Sequence, residues 1–232
     1  MALQQFDERN GRKEAIAEWF SVMDIPQKNK DKRVEIALDY AEIMIMLFLL
    51  ITEQEYEREE CIAYLSERLR IRAERETDVE DLAYINEWAD STAEEIVDAT
   101  YEKYENEIED ITLEEETEDE KVLNFKEYDV EIPEKDYPLS KFRATLIGIR
   151  CATTVMSFDD YLKAVDDGCT RKVWITENDD RVRATHQEVD GLDIPINEYF
   201  NVGNSSMLFP GDSVNGAELK EILNCRCWLK CY

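Results

Sequence analysis

Residues 43–51 read IMIMLFLLI, nine consecutive apolar residues in the second half of a predicted helix over residues 31–53. A helix that is apolar on nearly all sides must be covered by other helices or by a partner. Nine residues are too few to cross a bilayer, which takes about 20. The run therefore predicts either the centre of a helical bundle or a surface that binds another protein. In the second case the partner-binding side chains would be Ile43, Met44, Leu47, Phe48 and Ile51.

Four further helices are predicted around this segment from apolar residues at helical spacing. They cover residues 6–24 ahead of Pro26, residues 55–75, a short stretch near residues 79–88, and a longer stretch that begins at a capping box of Ser91 and Glu94. Together they predict a mainly helical N-terminal region over residues 1–112.

The charge of the chain changes near residue 140. The 232 residues include 55 acidic and 27 basic side chains, a formal net charge of -28, and the first 140 residues account for -25 of it. This charge argues against broad binding to nucleic acid and against an anionic membrane surface as partner. Residues 113–139 are predicted to be an acidic, extended linker. Ten of the sixteen residues in 105–120 are acidic, which is typical of a solvated strip, of a docking strip for a basic protein, or of a mimic of DNA charge.

Residues 140–232 predict a small α+β domain, so the expected fold class is α+β with a helical N-terminal region. Ser140 is the expected cap of a helix that runs to about Asp167 and ends at Gly168. Residues 171–176, RKVWIT, alternate and are rich in β-formers, which predicts a strand. Short strands are also expected near residues 192–196, 207–209 and 224–229.

The candidate metal-binding or catalytic residues of this region are His186, Cys225 and Cys227. No secretion signal is predicted, so the six cysteines are expected to be thiols or metal ligands. Imidazole and thiolates bind zinc tetrahedrally, and Cys169 or Cys231 would complete such a site. The alternatives are a hydrogen-bonded core histidine beside buried thiols, and a cysteine nucleophile with a histidine base.

Several pieces of the second region occur in a characteristic order. They are the helix FRATLIGIRCATT (142–154), the strand KVWIT (172–176), DRVRATH (180–186), the turn VDG (189–191), PGD (210–212) and NCRC (224–227). Over residues 142–227 the chain resembles the phage Mu F-like minor head protein family, also called the phage head morphogenesis family. The residues expected to hold the domain together are Trp174, Asp180, Arg183, His186, Asp190, Gly191, Asn224, Cys225, Arg226 and Cys227.

The resemblance implies a minor structural protein of a tailed-phage virion, without enzymatic activity. Such proteins act in head assembly at the portal or capsid interior and support DNA packaging or delivery. The implied partners are the portal protein and the major capsid or scaffold protein, with no membrane partner. A secondary contact with packaged DNA is expected to use Lys141, Arg143, Arg150, Arg171 and Lys172.

The resemblance also bears on zinc. Some family members carry a Cys-x-x-Cys pair where this chain has Arg183 and His186, and a histidine where it has Ile222. Those members look like zinc binders. This chain keeps at most His186, Cys225 and Cys227 of such a site. A polar network, with Arg183 paired to Glu221 or Asp180, is the interpretation favoured over zinc.

Overall fold

The computed structural model describes residues 2–53, 56–77, 82–113, 122–125, 130–133 and 139–232, and the side chains among these except for 2–8 and 104–138. It confirms an α+β fold with a helical N-terminal region. The long helices are α1 (Ala2–Ser21), α2 (Gln27–Thr52), α3 (Arg58–Glu74), α4 (Ala83–Leu113) and α5 (Lys141–Asp166).

Helix α2 is the centre of a helical bundle, in contact with α1, α3 and α5. Met44, Leu47 and Phe48 are at most 3% exposed and belong to the core of the protein itself. The prediction that Ile43, Met44, Leu47, Phe48 and Ile51 bind a partner is therefore corrected, because all but the half-buried Ile43 are buried within this chain. The exposed apolar side chains of the run are Met46 and Leu49.

Helix α4 replaces the two helices predicted over residues 79–111. Its residues 83–113 are continuous, and Ser91 lies inside it with its hydroxyl donating to the Trp88 carbonyl, so the predicted capping box is wrong. The buried stripe of Ile85, Trp88 and Ala89 continues into Ile96 and Val97 without interruption. Continuous burial on one face outweighs the local capping signal, because most helical stability in proteins comes from packing.

Helix α5 belongs to the same bundle, although it opens the region predicted as a separate domain. It begins as expected at Ser140, whose hydroxyl accepts from the Arg143 backbone N–H, and Gly168 follows it with φ of 78°. Side chains of α5 share one core with those of α1 to α4. The first helix of residues 140–232 therefore belongs to the core of the bundle, whereas the short elements after it also enclose a smaller core of their own.

Between α4 and α5, β1 (Val122–Phe125) and β2 (Val130–Pro133) form an antiparallel hairpin. The extended conformation expected near residue 130 agrees with β2. The end of the acidic strip, residues 114–120, lies outside the described residues, so its interpretation stays a prediction.

The C-terminal module is built from short elements after α5. They are β3 (Arg171–Ile175), α6 (Ala184–Gln187), β4 (Asp193–Pro195), β5 (Phe200–Val202), β6 (Ser205–Met207), α7 (Leu219–Ile222) and β7 (Trp228–Cys231). One antiparallel sheet has the order β4-β3-β7, and β5 pairs with β6. A second, smaller core of buried side chains, centred on Trp174 and Phe200, includes Cys225 and Cys227.

The module is packed onto the bundle through the Pro-Gly-Asp segment. Phe209 is buried in the main core beside Tyr84 of α4 and Phe158 of α5, whose rings stack at 4.2 Å. The Thr154 hydroxyl of α5 donates to the Gly211 carbonyl at 2.8 Å. Asp212 is fully buried and accepts from the Tyr84 hydroxyl at 3.1 Å. These contacts connect the motif of one region to helices of the other.

Candidate functional site

His186, Cys225 and Cys227 meet in the small core, where α6 lies beside the chain that follows α7. His186 Nδ1 lies 3.3 Å from Cys227 Sγ and 3.8 Å from Cys225 Sγ. One ligand atom from each residue lies within 4.8 Å of the others, and all three residues are buried. Asn224, with φ of 54°, turns the chain from α7 into the two cysteines, a backbone conformation that asparagine tolerates better than most residues.

Glu221 of α7 lies on the other side of the imidazole. It is 1% exposed, and its Oε2 is 3.2 Å from His186 Nε2. The angle at this contact is not that of a hydrogen bond, so the contact is a close electrostatic one. The Thr185 hydroxyl donates to Glu221 Oε2 at 2.8 Å. Gly203 leaves room for the carboxylate, because a Cβ there would lie 3.0 Å from Glu221 Oε1.

Trp174 of β3 forms one wall of the cluster. Its ring meets the imidazole edge-on, with centroids 5.6 Å apart and planes at 88°. The indole nitrogen is buried without a hydrogen-bond partner among the described residues. Its N–H nevertheless acts on the Cys227 thiol, whose pKa it lowers in opposition to larger effects. Trp174 therefore contributes the packing of its ring against the imidazole.

The two thiols differ in acidity. The hydrogen bond from Cys227 and, against burial, the contact with His186 lower the pKa of Cys225 well below its ordinary value. The same hydrogen bond and burial raise the pKa of Cys227. Burial lowers the pKa of His186, but hydrogen bonding and the charge of Cys225 outweigh it, so the net pKa is raised. The cluster thus favours a Cys225 thiolate beside the imidazole.

The arginines of the motifs hold the chain around the cluster. Arg226 donates to Asp179 at 2.7 Å, and Arg183 donates to the Leu223 carbonyl. The favoured network predicted Arg183 on Glu221 or Asp180. Instead Arg183 bonds the Leu223 carbonyl and Glu221 accepts from Thr185, whereas Asp180 is exposed.

The remaining predicted structural residues shape the turn after α6. Asp190 accepts from the Thr176 backbone N–H at 2.7 Å, and the Gly191 N–H donates to the Trp174 carbonyl at 2.8 Å. Gly191 has φ of 72°, which favours glycine. These bonds fix the end of β3 against the turn, and therefore place Trp174 over His186.

Cys169 and Cys231 are not part of the ligand group that the described residues form. Cys231 lies in β7 opposite Lys172, two positions along β3 from Trp174. Burial and then the nearby Cys169 raise the pKa of Cys231 to about 11. The predicted fourth ligand is therefore not supplied in this fold by either residue.

The donor set nevertheless fits a thiophilic ion. One imidazole nitrogen and two sulfurs suit zinc, and the second nitrogen of a metal-bound histidine commonly faces a carboxylate, as His186 faces Glu221. The space beside His186, Cys225 and Cys227 is about 10 Å³, enough for one ion or one water. Pockets for small-molecule ligands are far larger, about 300 Å³ or more.

Most of the basic side chains predicted to contact DNA are paired or buried within the protein. Arg143 donates to the Thr100 hydroxyl at 2.8 Å, and Arg150 forms a bidentate pair with Glu95 at 2.6 and 2.7 Å. Lys172 is fully buried. Among the five predicted residues, Lys141 is exposed and Arg171 is half-buried.

Sequence reasoning identified the three ligand candidates and placed Glu221 in a polar network, but it paired Glu221 with Arg183 and missed its contacts with His186 and Thr185. Glu221 is separated from His186 by 35 positions and carries no motif signal of its own. The one available hint was its place four residues before Cys225.

Comparison of the chain with models of protein families, with curated proteins and with solved structures finds no match. Within the described part of the chain, no helix combines the length and the apolar character that a bilayer span requires.

Proposed function

We propose that this protein is a minor structural protein of a tailed-phage virion, acting without enzymatic activity in head morphogenesis at the portal or capsid interior. The observation that carries the proposal is the convergence of the motif pieces. The pieces over residues 172–227 build one module, which packs on the helix that holds the first piece, and they follow the order of the head morphogenesis family that they resemble.

The polar groups of these motifs contact other groups within the protein. Asp190 bonds the end of β3, Arg226 bonds Asp179, and His186 lies between Glu221 and the cysteines. Such internal use is expected of residues that hold a thin core together. It supports a structural role in preference to a substrate site.

The rigid connection between module and bundle also supports an assembly protein. Asp212 accepts from the backbone N–H groups of Leu208 and Val214 as well as from Tyr84. A fully bonded buried carboxylate holds its surroundings in one arrangement. A component that occupies a fixed position in a particle benefits from such rigidity.

The charge distribution supports a protein partner. The net charge of -25 over the first 140 residues repels packaged DNA and attracts basic protein surfaces. The portal protein and the major capsid or scaffold protein are the proposed partners. A secondary DNA contact is proposed for the second region, where Lys141, Arg171 and Lys230 keep exposed or half-buried positions.

The experiment is fractionation of particles from cells that produce the phage carrying this chain. Proheads and DNA-filled heads are purified separately, and this chain is quantified by mass spectrometry against the major capsid protein. We expect it in heads at low copy, with a constant ratio between preparations. Its absence from both kinds of particle would overturn the proposal.

The alternative is a metal-dependent or cysteine-based hydrolase centred on His186, Cys225 and Cys227. The lowered pKa of Cys225 favours it. The burial of Cys225, which is 3% exposed, opposes it, because the sulfur offers a substrate carbonyl little access in the folded protein. Alkylation rates of Cys225 in the folded and urea-unfolded protein separate the two. A folded-state rate near that of the unfolded chain would favour the hydrolase.

A further inference from the structure

We propose that Glu221 is a positioning residue that holds His186 with Nδ1 toward Cys225 and Cys227, and that these three residues bind one thiophilic divalent ion through Nδ1 and the two sulfurs. The metal itself is what the family resemblance implies. The role of Glu221 comes from the geometry of this chain. The proposal concerns the isolated protein and does not depend on where in a particle the protein acts.

The first step is the orientation of the ring. Either nitrogen of an imidazole can bind a metal, and the partner of the other nitrogen decides which one does. In His186 the two sulfurs lie 3.3 and 3.8 Å from Nδ1, whereas the Glu221 carboxylate lies 3.2 Å from Nε2. With an ion bound at Nδ1 the ring hydrogen is on Nε2, where the carboxylate at 3.2 Å stabilises it electrostatically.

The second step is the rigidity of the carboxylate. Glu221 is 1% exposed, and its carboxylate accepts a hydrogen bond from the Thr185 hydroxyl at 2.8 Å. Lys220 Nζ, at 4.0 Å from Oε1, is a weaker contact. A buried carboxylate needs partners to stay charged. Among the described side chains, the basic group nearest to the Glu221 carboxylate is the imidazole of His186. The main effect of Glu221 is therefore to orient that ring.

The third step is charge. Binding an ion through both sulfurs makes Cys225 and Cys227 thiolates, and beside the buried Glu221 carboxylate these negative charges require positive charge. Arg183 lines the same space, and its guanidinium donates to the Leu223 carbonyl. A divalent ion supplies the remaining charge. Its binding displaces the thiol protons of Cys225 and Cys227 to solvent, so the reaction is metal uptake with release of up to two protons.

The test uses the full chain, purified under reducing conditions and stripped of metal. Cobalt(II) is titrated as an optical probe, and zinc affinity is then measured by competition with a chromophoric chelator. We expect one cobalt per chain with sulfur-to-cobalt charge-transfer absorption, lost in Cys227→Ser. Absence of that absorption in the natural sequence would overturn the metal site.

The variant that tests the positioning role is Glu221→Gln, with Glu188→Gln as the matched control because Glu188 is an exposed glutamate beside the same histidine segment. We expect Glu221→Gln to bind zinc about 10- to 100-fold more weakly, the range for loss of such a partner. The control should bind within about twofold of the natural sequence. Equal affinity in Glu221→Gln would overturn the role.

A second readout reports the ring directly. His186 is the one histidine of the chain, so its imidazole nitrogens give an unambiguous long-range nitrogen NMR correlation. We expect the zinc-loaded protein to show Nε2–H with Nδ1 bound, and Glu221→Gln to lose this preference. If Glu221→Gln fails to fold, Thr185→Val decides in its place. It should weaken zinc binding in the same direction, and unchanged affinity would overturn the proposal.

Discussion

Gly148 of α5 lies against the backbone of α2 at Ala37, so closely that a Cβ at position 148 would be 2.4 Å from the Ala37 carbonyl oxygen. The same atom would be 2.9 Å from the backbone nitrogen of Ala41. Both approaches are to backbone, which cannot rotate away as a side chain would. The central pair of helices in this protein therefore depends on a residue without a side chain.

We predict that Gly148→Ala destabilises the protein by about 3 kcal/mol, the upper part of the usual range for an overpacked core. The control is Gly11→Ala, because a Cβ at Gly11 meets nothing within 4 Å. That change should be neutral or stabilising by up to about 1 kcal/mol through helix propensity. Urea unfolding followed by circular dichroism measures both. Equal stability of the two variants would contradict the packing argument.

The pair of Arg150 and Glu95 gives a second prediction. The guanidinium is 4% exposed, and two nitrogens contact the two carboxylate oxygens at 2.6 and 2.7 Å. Glu95→Gln leaves a buried charge without its counterion, which we expect to destabilise the fold by about 2 kcal/mol. This is less than for a fully buried pair, because Glu95 is 37% exposed. Glu94→Gln, one residue away and exposed, should lie within about 0.5 kcal/mol of the natural sequence.

The bond from Tyr84 to Asp212 tests the coupling of bundle and module. Tyr84→Phe keeps the ring that stacks on Phe158 at 4.2 Å and removes only the hydroxyl. We expect a loss of about 1.5–3 kcal/mol, typical of a hydrogen bond to a charged acceptor. Tyr199→Phe is the control, because Tyr199 is 46% exposed. If the two variants unfold at the same urea concentration, the bond contributes nothing to stability.

Lys172 gives a prediction about pH. Its Nζ donates to the Leu208 carbonyl at 2.8 Å and lies over the rings of Tyr161 and Phe200 at 5.1 and 5.4 Å. Burial lowers its pKa from 10.5 to about 8. The charges of Cys231, Asp212 and Glu198 oppose this shift but do not cancel it.

Between about pH 8 and 10.5 the unfolded chain keeps the Lys172 proton and the folded protein loses it. Stability therefore rises with pH across that window, by about 2–3 kcal/mol at its upper end. Lys172→Met lacks this contribution. We expect the free energy of unfolding of the natural sequence, relative to Lys172→Met, to increase from pH 8 to 10 under reducing conditions. Parallel pH profiles would show that the Lys172 amine titrates at the same pH in both states.

The sequence predicted the fold where local patterns and burial agree. The fold class is confirmed, and α5 begins at Ser140 and ends before Gly168 as expected. It failed where tertiary packing overrides a local signal. Ser91 looks like a cap, but continuous burial on one face of α4 carries the helix through it.

The sequence also does not reveal which predicted binding residues are buried in the fold. For Leu47 and Phe48 the sequence predicts either a bundle centre or a partner surface, because it shows that an apolar helix needs cover but not whether the cover comes from the same chain. Their burial in the core of this chain agrees with the first. Arg150 was predicted to contact DNA, because its sequence neighbours do not reveal that Glu95 lies opposite. At the site, residue types predicted the donors and named Glu221, but only the folded structure shows that its carboxylate lies beside His186 and not beside Arg183.

Because α5 is shared, the chain cannot be divided where its charge changes. A fragment starting at residue 140 would carry into water the face of α5 that holds Gly148, and a fragment ending before it would leave the groove beside Ala37 and Ala41 open. A protein that received α5 and the module after it would need small residues where Ala37 and Ala41 lie, because the backbone of α5 approaches them at Gly148.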